Sequence, residues 1–199
     1  MHWHRDIELP EVDLIVVPGG FTYGDYLRTG ALAAHSPVMR AVKERSEAGV
    51  RILGICNGFQ ILTETGLLPG VLMRNAGLRF VCKDVHLRCE NGSTPFTGLL
   101  REGDVLRIPI AHGEGNYFAD RKTFNAIEQN GQIAFRYCDE IGQVTEDANP
   151  NGSMGNVAGV FNDRKSVLGM MPHPERLADP MLGGTDGELI FASLVEALS

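Results

Sequence analysis

No stretch of this 199-residue sequence approaches the run of about 18 apolar residues that a membrane-spanning helix needs. The first residues also lack the apolar segment of a secretory signal peptide. Basic residues are scarce: 18 lysines and arginines against 25 aspartates and glutamates give a net charge of −7. Because nucleic-acid binding calls for a basic surface, we expect neither a membrane nor a nucleic acid as a partner.

Cysteine is sparse too, and its placement is informative. Cys56, Cys82, Cys89 and Cys138 show no spacing typical of a disulfide framework, which favours a reducing, cytoplasmic location. Cys82, His86 and Cys89 invite comparison with a metal site. In a strand, however, positions 82 and 86 face one side and position 89 faces the other. We therefore expect no metal ion on this chain.

The strongest structural signals are short, continuous apolar runs that end near glycine. Residues 13–17 and 51–55 are such runs, which are typical of strands covered on both faces of a parallel sheet. Helices are predicted after them, from Ser36-Pro37 to about residue 48 and from 58 to about 65. Further strands are predicted at 80–89, 105–110, 132–137, 157–161 and 167–171, and a last helix at 187–198.

This order of elements predicts an α/β fold. We expect an open mixed, mostly parallel sheet with helices on both faces. No repeat, low-complexity segment or linker divides the sequence, so residues 1–199 are predicted to form a single domain.

Cys56 lies in a G-x-C-x-G pattern at the junction of a predicted strand and helix. This is the nucleophile-elbow pattern with cysteine in place of serine. Glycines at 54 and 58 permit a sharp turn, and the start of a helix favours the reactive thiolate. The N–H group of Asn57 can face a developing oxyanion. The alternative is a buried structural cysteine, which the flanking glycines make the weaker interpretation.

A cysteine nucleophile needs a base, and His173 in Pro172-His173-Pro174-Glu175 is the best candidate. Proline favours an extended backbone before it, and positions i and i+2 of an extended segment face the same way. Glu175 can therefore orient His173, as the acid of a triad does. Two alternatives stay open: a proline-rich turn with a surface histidine, and His112 as the base. For His112 we expect a place in the lining of the substrate pocket.

The glycine-rich loop after the first strand, PGGFTYGDY (residues 18–26), superficially resembles a phosphate loop. It lacks both the Lys-Ser/Thr pair of a P-loop and the G-x-G-x-x-G spacing. Such a loop can instead offer backbone N–H groups to an oxyanion. The alternative is a flexible surface loop.

Taken together, these motifs resemble the class I (triad) glutamine amidotransferases. The resemblance extends over essentially the whole chain. It rests on GICNGFQ (54–60), PGGFTYGDYLR (18–28), NPNGS (149–153), MMPHPER (170–176) and GGTDG (183–187). Their combination narrows it to the members that feed ammonia to a purine-pathway synthetase.

The resemblance implies a role for each matching residue. Cys56 is the nucleophile, His173 the base and Glu175 its orienter; the backbone N–H groups of Gly20 and Asn57 form the oxyanion hole; Gln60 and His112 lie near bound glutamine. The implied reaction is hydrolysis of glutamine to glutamate and ammonia.

The resemblance also implies partners. Ammonia passes to a large ATP-dependent synthetase subunit, and a third small subunit joins many such complexes. No cofactor is expected on this chain, since ATP and Mg²⁺ belong to the synthetase. Three alternatives stay open: a free-standing cysteine hydrolase, a triad amidotransferase subunit serving another acceptor, and a non-enzymatic binding module.

The start of the sequence departs from the family pattern. Members usually carry a further strand and helix before the tract at residues 2–5, so the domain is expected to be N-terminally incomplete. The missing strand is expected between the strands at 13–17 and 51–55. Each unpaired buried backbone group costs about 1–3 kcal/mol, so this form is expected to pack loosely unless the segment is restored.

Overall fold

The computed structural model describes residues 1–25 and 28–199, which form nine strands and five α-helices joined by turns and short 3-10 segments. The strands are β1 Leu14–Val17, β2 Arg51–Ile55, β3 Val71–Met73, β4 Val81–Cys89, β5 Val105–His112, β6 Asn116–Phe118, β7 Ile133–Cys138, β8 Val157–Phe161 and β9 Val167–Met170. The helices are α1 Ala31–Ala34, α2 Pro37–Glu47, α3 Asn57–Glu64, α4 Arg121–Gln129 and α5 Glu188–Leu198.

Seven strands form one mixed sheet in the order β1-β2-β9-β8-β7-β4-β5, and β3 pairs with β6 in a separate two-stranded sheet. The predicted α/β class and mixed sheet are therefore confirmed. The parallel part is smaller than predicted, because β1, β2 and β9 pair in parallel while the pairings from β9 to β5 are antiparallel. A parallel pairing needs a long crossover, usually a helix, and β4 and β5 are joined by a stretch that contains none.

The expected gap between the first two predicted strands does not exist. β1 pairs directly with β2, in register from Leu14 opposite Arg51 to Val17 opposite Gly54. The prediction that another strand lies between them is wrong. β1 is also less covered than its apolar run suggested, because Val16 is 45% exposed. An apolar run predicts a strand, but it does not specify the neighbour of that strand.

The centre of the sheet is covered on both faces. In β8 and β9 every residue is buried, and in β2 only Arg51 is not. Since side chains alternate between faces along a strand, both sides of these strands are shielded from water. On one side α3 packs closely: a Cβ at Gly54 would overlap Leu62, and a Cβ at Gly169 would overlap the ring of Phe59. Glycine at both positions brings α3 against the sheet.

The long elements match the sequence-based prediction to within one or two residues. α2 begins with Pro37 at its first turn behind Ser36, as predicted. The short α1, the small β3–β6 sheet and α4 were not predicted. α4 fully buries only Ile127, with Phe124 partly buried against the core, so its apolar pattern is short. Its clearest signal is Asp120, whose side chain accepts a hydrogen bond from Thr123 N at 3.0 Å as an N-cap.

Within residues 1–25 and 28–199, no helix is long and apolar enough to cross a membrane. In the same part of the chain, no three His, Cys, Asp or Glu side chains come together in a way that could hold a metal ion.

The close contact between α3 and the sheet predicts that a methyl group lowers the free energy of unfolding more at Gly169 than at an open position. We expect Gly169→Ala to lower the free energy of unfolding by about 1–3 kcal/mol, because its methyl group would overlap Phe59 and Leu68. Gly77→Ala is the matched control, since a Cβ there meets no atom within 4 Å. Urea unfolding of the two variants measures the difference. Equal stability would contradict the proposed close packing.

Candidate active site

The chain turns sharply from β2 into α3 at Cys56. Its φ of 51° and ψ of −107° are rare for a residue with a side chain and store about 1–3 kcal/mol of strain. The turn is held by Cys56 N, which donates to Met170 O at 2.8 Å, and by Gln60 N, which donates to Cys56 O at 3.2 Å. A Cβ at Gly58 would overlap Val17 O, so glycine is required there.

The Cys56 thiol lies at the N-terminus of α3 and lines an open pocket of about 400 Å³. The residue is 6% exposed, and its Sγ donates to Ala111 O at 3.8 Å. A helix N-terminus stabilises negative charge, which favours the nucleophilic thiolate. The pocket volume suits a small metabolite.

His173 and Glu175 form a close pair beside this pocket. His173 Nδ1 lies 2.6 Å from Glu175 Oε1, and because a carboxylate only accepts, Nδ1 donates. His173 N donates to Pro109 O at 2.8 Å, which ties the residue to β5. The imidazole is 3% exposed, and its buried Nε2 has no hydrogen-bond partner among the described residues. That nitrogen is therefore available to take a proton.

The backbone that carries this pair differs from the prediction. Pro174–Leu177 forms a 3-10 turn with His173 at its N-cap position, whereas an extended segment was expected because His173 precedes a proline. Proline is well suited to the first position of a helical turn, which explains the difference. Glu175 reaches back to His173 from within this turn.

Cys56 and His173 meet at Gly19 in the loop after β1. A Cβ at Gly19 would lie 3.0 Å from Cε1 of His173 and 3.5 Å from Cβ of Cys56. Both residues also line the same pocket. The structure thus brings the Cys56 side chain next to His173, which lies more than a hundred residues later in the sequence and carries Glu175 with it.

The two predicted oxyanion-hole residues lie on the pocket wall and at the start of α3. Gly20 lines the pocket, and Asn57 is the first residue of α3, where backbone N–H groups lack a partner within the helix. Their role in binding an oxyanion stays a prediction. Tyr26 and Leu27, which belong to the same glycine-loop motif, lie outside the described residues.

The loop from His112 to Gly115, between β5 and β6, forms another wall of the pocket and is held by buried amides. Asn75 Nδ2 donates to His112 O at 2.9 Å, and Asn75 Oδ1 accepts from Gly115 N at 3.0 Å. Gln60 Nε2 donates to Glu114 O at 2.5 Å. Asn151 Nδ2 donates to Gly115 O at 2.8 Å. This loop is therefore a fixed surface.

Gln60 lines the pocket and also connects two of its walls. Its Oε1 accepts from Asn57 Nδ2 at 2.9 Å while its Nε2 holds Glu114 O. It joins the first turn of α3 to the loop opposite. Sequence reasoning assigned Gln60 to substrate contact alone and gave no role to Asn75. Of the amides that hold the loop from His112 to Gly115, Asn151 was marked in the sequence by the NPNGS motif.

His112 is a neutral imidazole in this arrangement. Asn75 Oδ1 lies 3.1 Å from His112 Nδ1 and can only accept, so Nδ1 carries the proton. Burial and the neighbouring His173 lower the pKa of His112 to about 4. Such a group is a weak base at neutral pH, so the depressed pKa of His112 favours His173 as the proton acceptor.

Comparison with known proteins shows the family to which the chain belongs. Residues 2–183 match the family model of the CobB/CobQ-like glutamine amidotransferase domain. The chain is 56% identical over 200 residues to the phosphoribosylformylglycinamidine synthase subunit PurQ of Rhodopseudomonas palustris, covering 100% of this chain and 86% of that protein. It is 57% identical to the subunit of the same name from Moorella thermoacetica, covering 98% and 82%.

A solved structure of PurLQS from Thermotoga maritima is similar over the same extent. It superposes with a TM-score of 0.85 at 42% identity, covering 98% of this chain and 84% of that one.

The depressed pKa of His112 predicts a pH dependence of stability. In the unfolded chain this histidine binds a proton near its ordinary pKa of 6.5, whereas in the folded chain it binds one only near pH 4. The unfolded state therefore holds more protons between these values, and the stability contributed by neutral His112 is lost as pH falls from 6.5 to 4. The shift corresponds to a loss of about 3 kcal/mol.

Urea unfolding from pH 4 to pH 7 tests this. We expect His112→Asn to show a shallower fall in stability than the parent chain. His35→Asn, a change at an exposed histidine, should keep the parent slope. Parallel curves for the parent chain and His112→Asn would contradict the assignment.

Proposed function

The chain belongs to the CobB/CobQ-like glutamine amidotransferases as a PurQ-type glutaminase subunit of phosphoribosylformylglycinamidine synthase, and from this premise we propose how its residues perform the reaction. Cys56 acts as nucleophile, His173 as base and Glu175 as the residue that orients the imidazole. The observation that carries this assignment is the 2.6 Å contact between His173 and Glu175. His173 lies beside the strained Cys56, and Gly19 contacts both residues.

Attack begins with transfer of the Cys56 proton to His173 Nε2. The thiolate adds to the carboxamide carbon of glutamine, and the resulting oxyanion accepts hydrogen bonds from the N–H groups of Gly20 and Asn57. Collapse breaks the C–N bond as His173 returns its proton to the leaving nitrogen. Ammonia departs, and a glutamyl thioester remains on Cys56.

Hydrolysis uses the same groups in a second cycle. His173 takes a proton from water, and the hydroxide adds to the thioester carbonyl. The C–S bond then breaks, glutamate leaves, and the proton restores the thiol. Glu175 accepts a hydrogen bond from the imidazolium at each stage and stabilises its charge.

The names of the relatives support a proposal about the partners. The curated relatives are subunits of a synthase by name, and the solved relative comes from a structure of PurLQS. We propose that this chain passes ammonia to a large synthetase subunit, which holds the ATP and Mg²⁺, in a complex with a third small subunit. We place this complex in the cytoplasm, a reducing location in which the free thiols of Cys82, Cys89 and Cys138 persist.

Replacing the nucleophile should separate the two half-reactions. In the assembled complex, Cys56→Ala should abolish glutamine-dependent amidine synthesis and leave synthesis from added ammonia intact. His173→Ala should behave similarly, whereas Glu175→Gln should keep a residual rate, since an orienter contributes less than a nucleophile. Cys82→Ala, at an exposed cysteine, is the control.

Steady-state assays with glutamine and with ammonium salt distinguish the outcomes. Undiminished glutamine-dependent synthesis by Cys56→Ala would refute the assignment. Loss of both activities would show that the variant damages the complex, in which case Cys56→Ser replaces it as the smaller change.

A further inference from the structure

The active-site pocket is lined by more positive than negative side chains. Among the described residues that line it, Glu114 is the single carboxylate, while Arg74, Arg79 and Arg176 supply three guanidinium groups. Glutamine carries a carboxamide at one end and an α-ammonium and an α-carboxylate at the other. If Cys56 receives the carboxamide, the charged end must meet this set. Among the described lining residues, Glu114 is the one whose charge can then pair with the α-ammonium.

Glu114 is held in place by Thr29 and Gln60 and has a looser contact with Arg74. Its Oε2 accepts from Thr29 Oγ1 at 2.6 Å, and its backbone oxygen accepts from Gln60 Nε2 at 2.5 Å. Its Oε1 lies 3.4 Å from Arg74 Nε. The Glu114 side chain is 22% exposed. A carboxylate fixed in this way has little freedom left to lose when a ligand binds.

Two short paths tie Glu114 to the nucleophile. Gln60 N donates to Cys56 O while its side chain holds Glu114 O, so one residue spans the distance between them. Cys56 Sγ also donates to Ala111 O, three residues before Glu114 on the same strand and loop. The separation of thiol and carboxylate is thus set by the protein, as recognition of a substrate of fixed length requires.

The contact between Arg74 and Glu114 places a cation and an anion side by side at the pocket wall. An α-amino acid carries an ammonium and a carboxylate on one carbon atom. Its ammonium can therefore pair with Glu114 while its carboxylate pairs with Arg74. The Arg74 side chain is 78% exposed, so its own ion pair with Glu114 is worth little and is readily exchanged. Binding would replace one solvent-screened pair with two pairs to the substrate.

We propose that Glu114 and Arg74 form a specificity-determining pair that recognises the α-amino-acid end of the substrate. Glu114 takes the α-ammonium and Arg74 takes the α-carboxylate, while Thr29 fixes the Glu114 side chain. The inference rests on the proposed glutaminase function and extends it from the reacting carboxamide to the opposite end of the molecule.

Two truncated substrates test each half separately. 4-Carbamoylbutanoate has the carboxamide and carboxylate of glutamine without its ammonium, and 4-aminobutanamide has the carboxamide and ammonium without its carboxylate. Hydrolysis of all three is followed as ammonia release by the assembled complex. A hydrogen bond to a charged group contributes about 1.5–3 kcal/mol, which corresponds to about a 10- to 100-fold change in kcat/KM.

We expect Glu114→Gln to lower kcat/KM for glutamine and for 4-aminobutanamide by about 10- to 100-fold, and to leave 4-carbamoylbutanoate within about twofold. Arg74→Gln should show the reverse selectivity, lowering glutamine and 4-carbamoylbutanoate but not 4-aminobutanamide. Because Arg74 is largely exposed, this second variant remains informative if Glu114→Gln fails to fold. Glu128→Gln, which breaks an ion pair with Arg136, is the control.

Equal losses with all three substrates would overturn the proposal, because they would indicate a purely structural role. Unchanged values for glutamine in both variants would overturn it too. The Cys56→Ala variant keeps this test separate from the test of the proposed function: if it retains glutamine hydrolysis, the glutaminase assignment itself fails, whatever Glu114 and Arg74 do.

Discussion

A single backbone turn at Cys56 sets the position of everything else in the site. A residue with a side chain is held at φ 51° because β2 ends against Met170 O while α3 begins immediately beyond it. Gly58 makes this contact possible, since any larger residue would overlap β1 at Val17. The strain is sustained by burial of the strands and helix around it, and it presents the thiol at the helix N-terminus.

The partners of the thiol are positioned by contacts that cross the fold. His173 follows β9, is fixed to β5 through Pro109 O, and meets Cys56 over Gly19. On the other side, Asn75, Gln60 and Asn151 satisfy the polar backbone groups of the loop from His112 to Gly115. Buried amides of this kind are stable only when fully paired, so they hold the loop in one conformation. The pocket is consequently built before a substrate arrives.

Much of this could be predicted from local sequence, and the rest depends on contacts that no local pattern contains. The turn at Cys56 could be located from the G-x-C-x-G pattern between a predicted strand and helix. Glycine spacing and apolar runs are local signals, contained within a few residues of sequence. Asn75 lies 37 positions from His112, and nothing near Asn75 indicates that its amide holds that loop. The same limit explains the direct pairing of β1 with β2 and the extent of antiparallel pairing, since an apolar strand does not specify its neighbour. α4 escaped prediction for another reason, because its exposed face is polar and a single residue is buried.

The central claim is that a covalent glutamyl intermediate forms on Cys56, and peptide mapping tests it most directly. The assembled complex would be acid-quenched during turnover of radiolabelled glutamine and digested with trypsin. Cleavage after Arg51 and Arg74 isolates a fragment whose only cysteine is Cys56. We predict label on this fragment that hydroxylamine releases, as expected of a thioester. Label on a fragment that carries Cys82, Cys89 or Cys138, or rapid turnover with no label on any cysteine, would contradict the account.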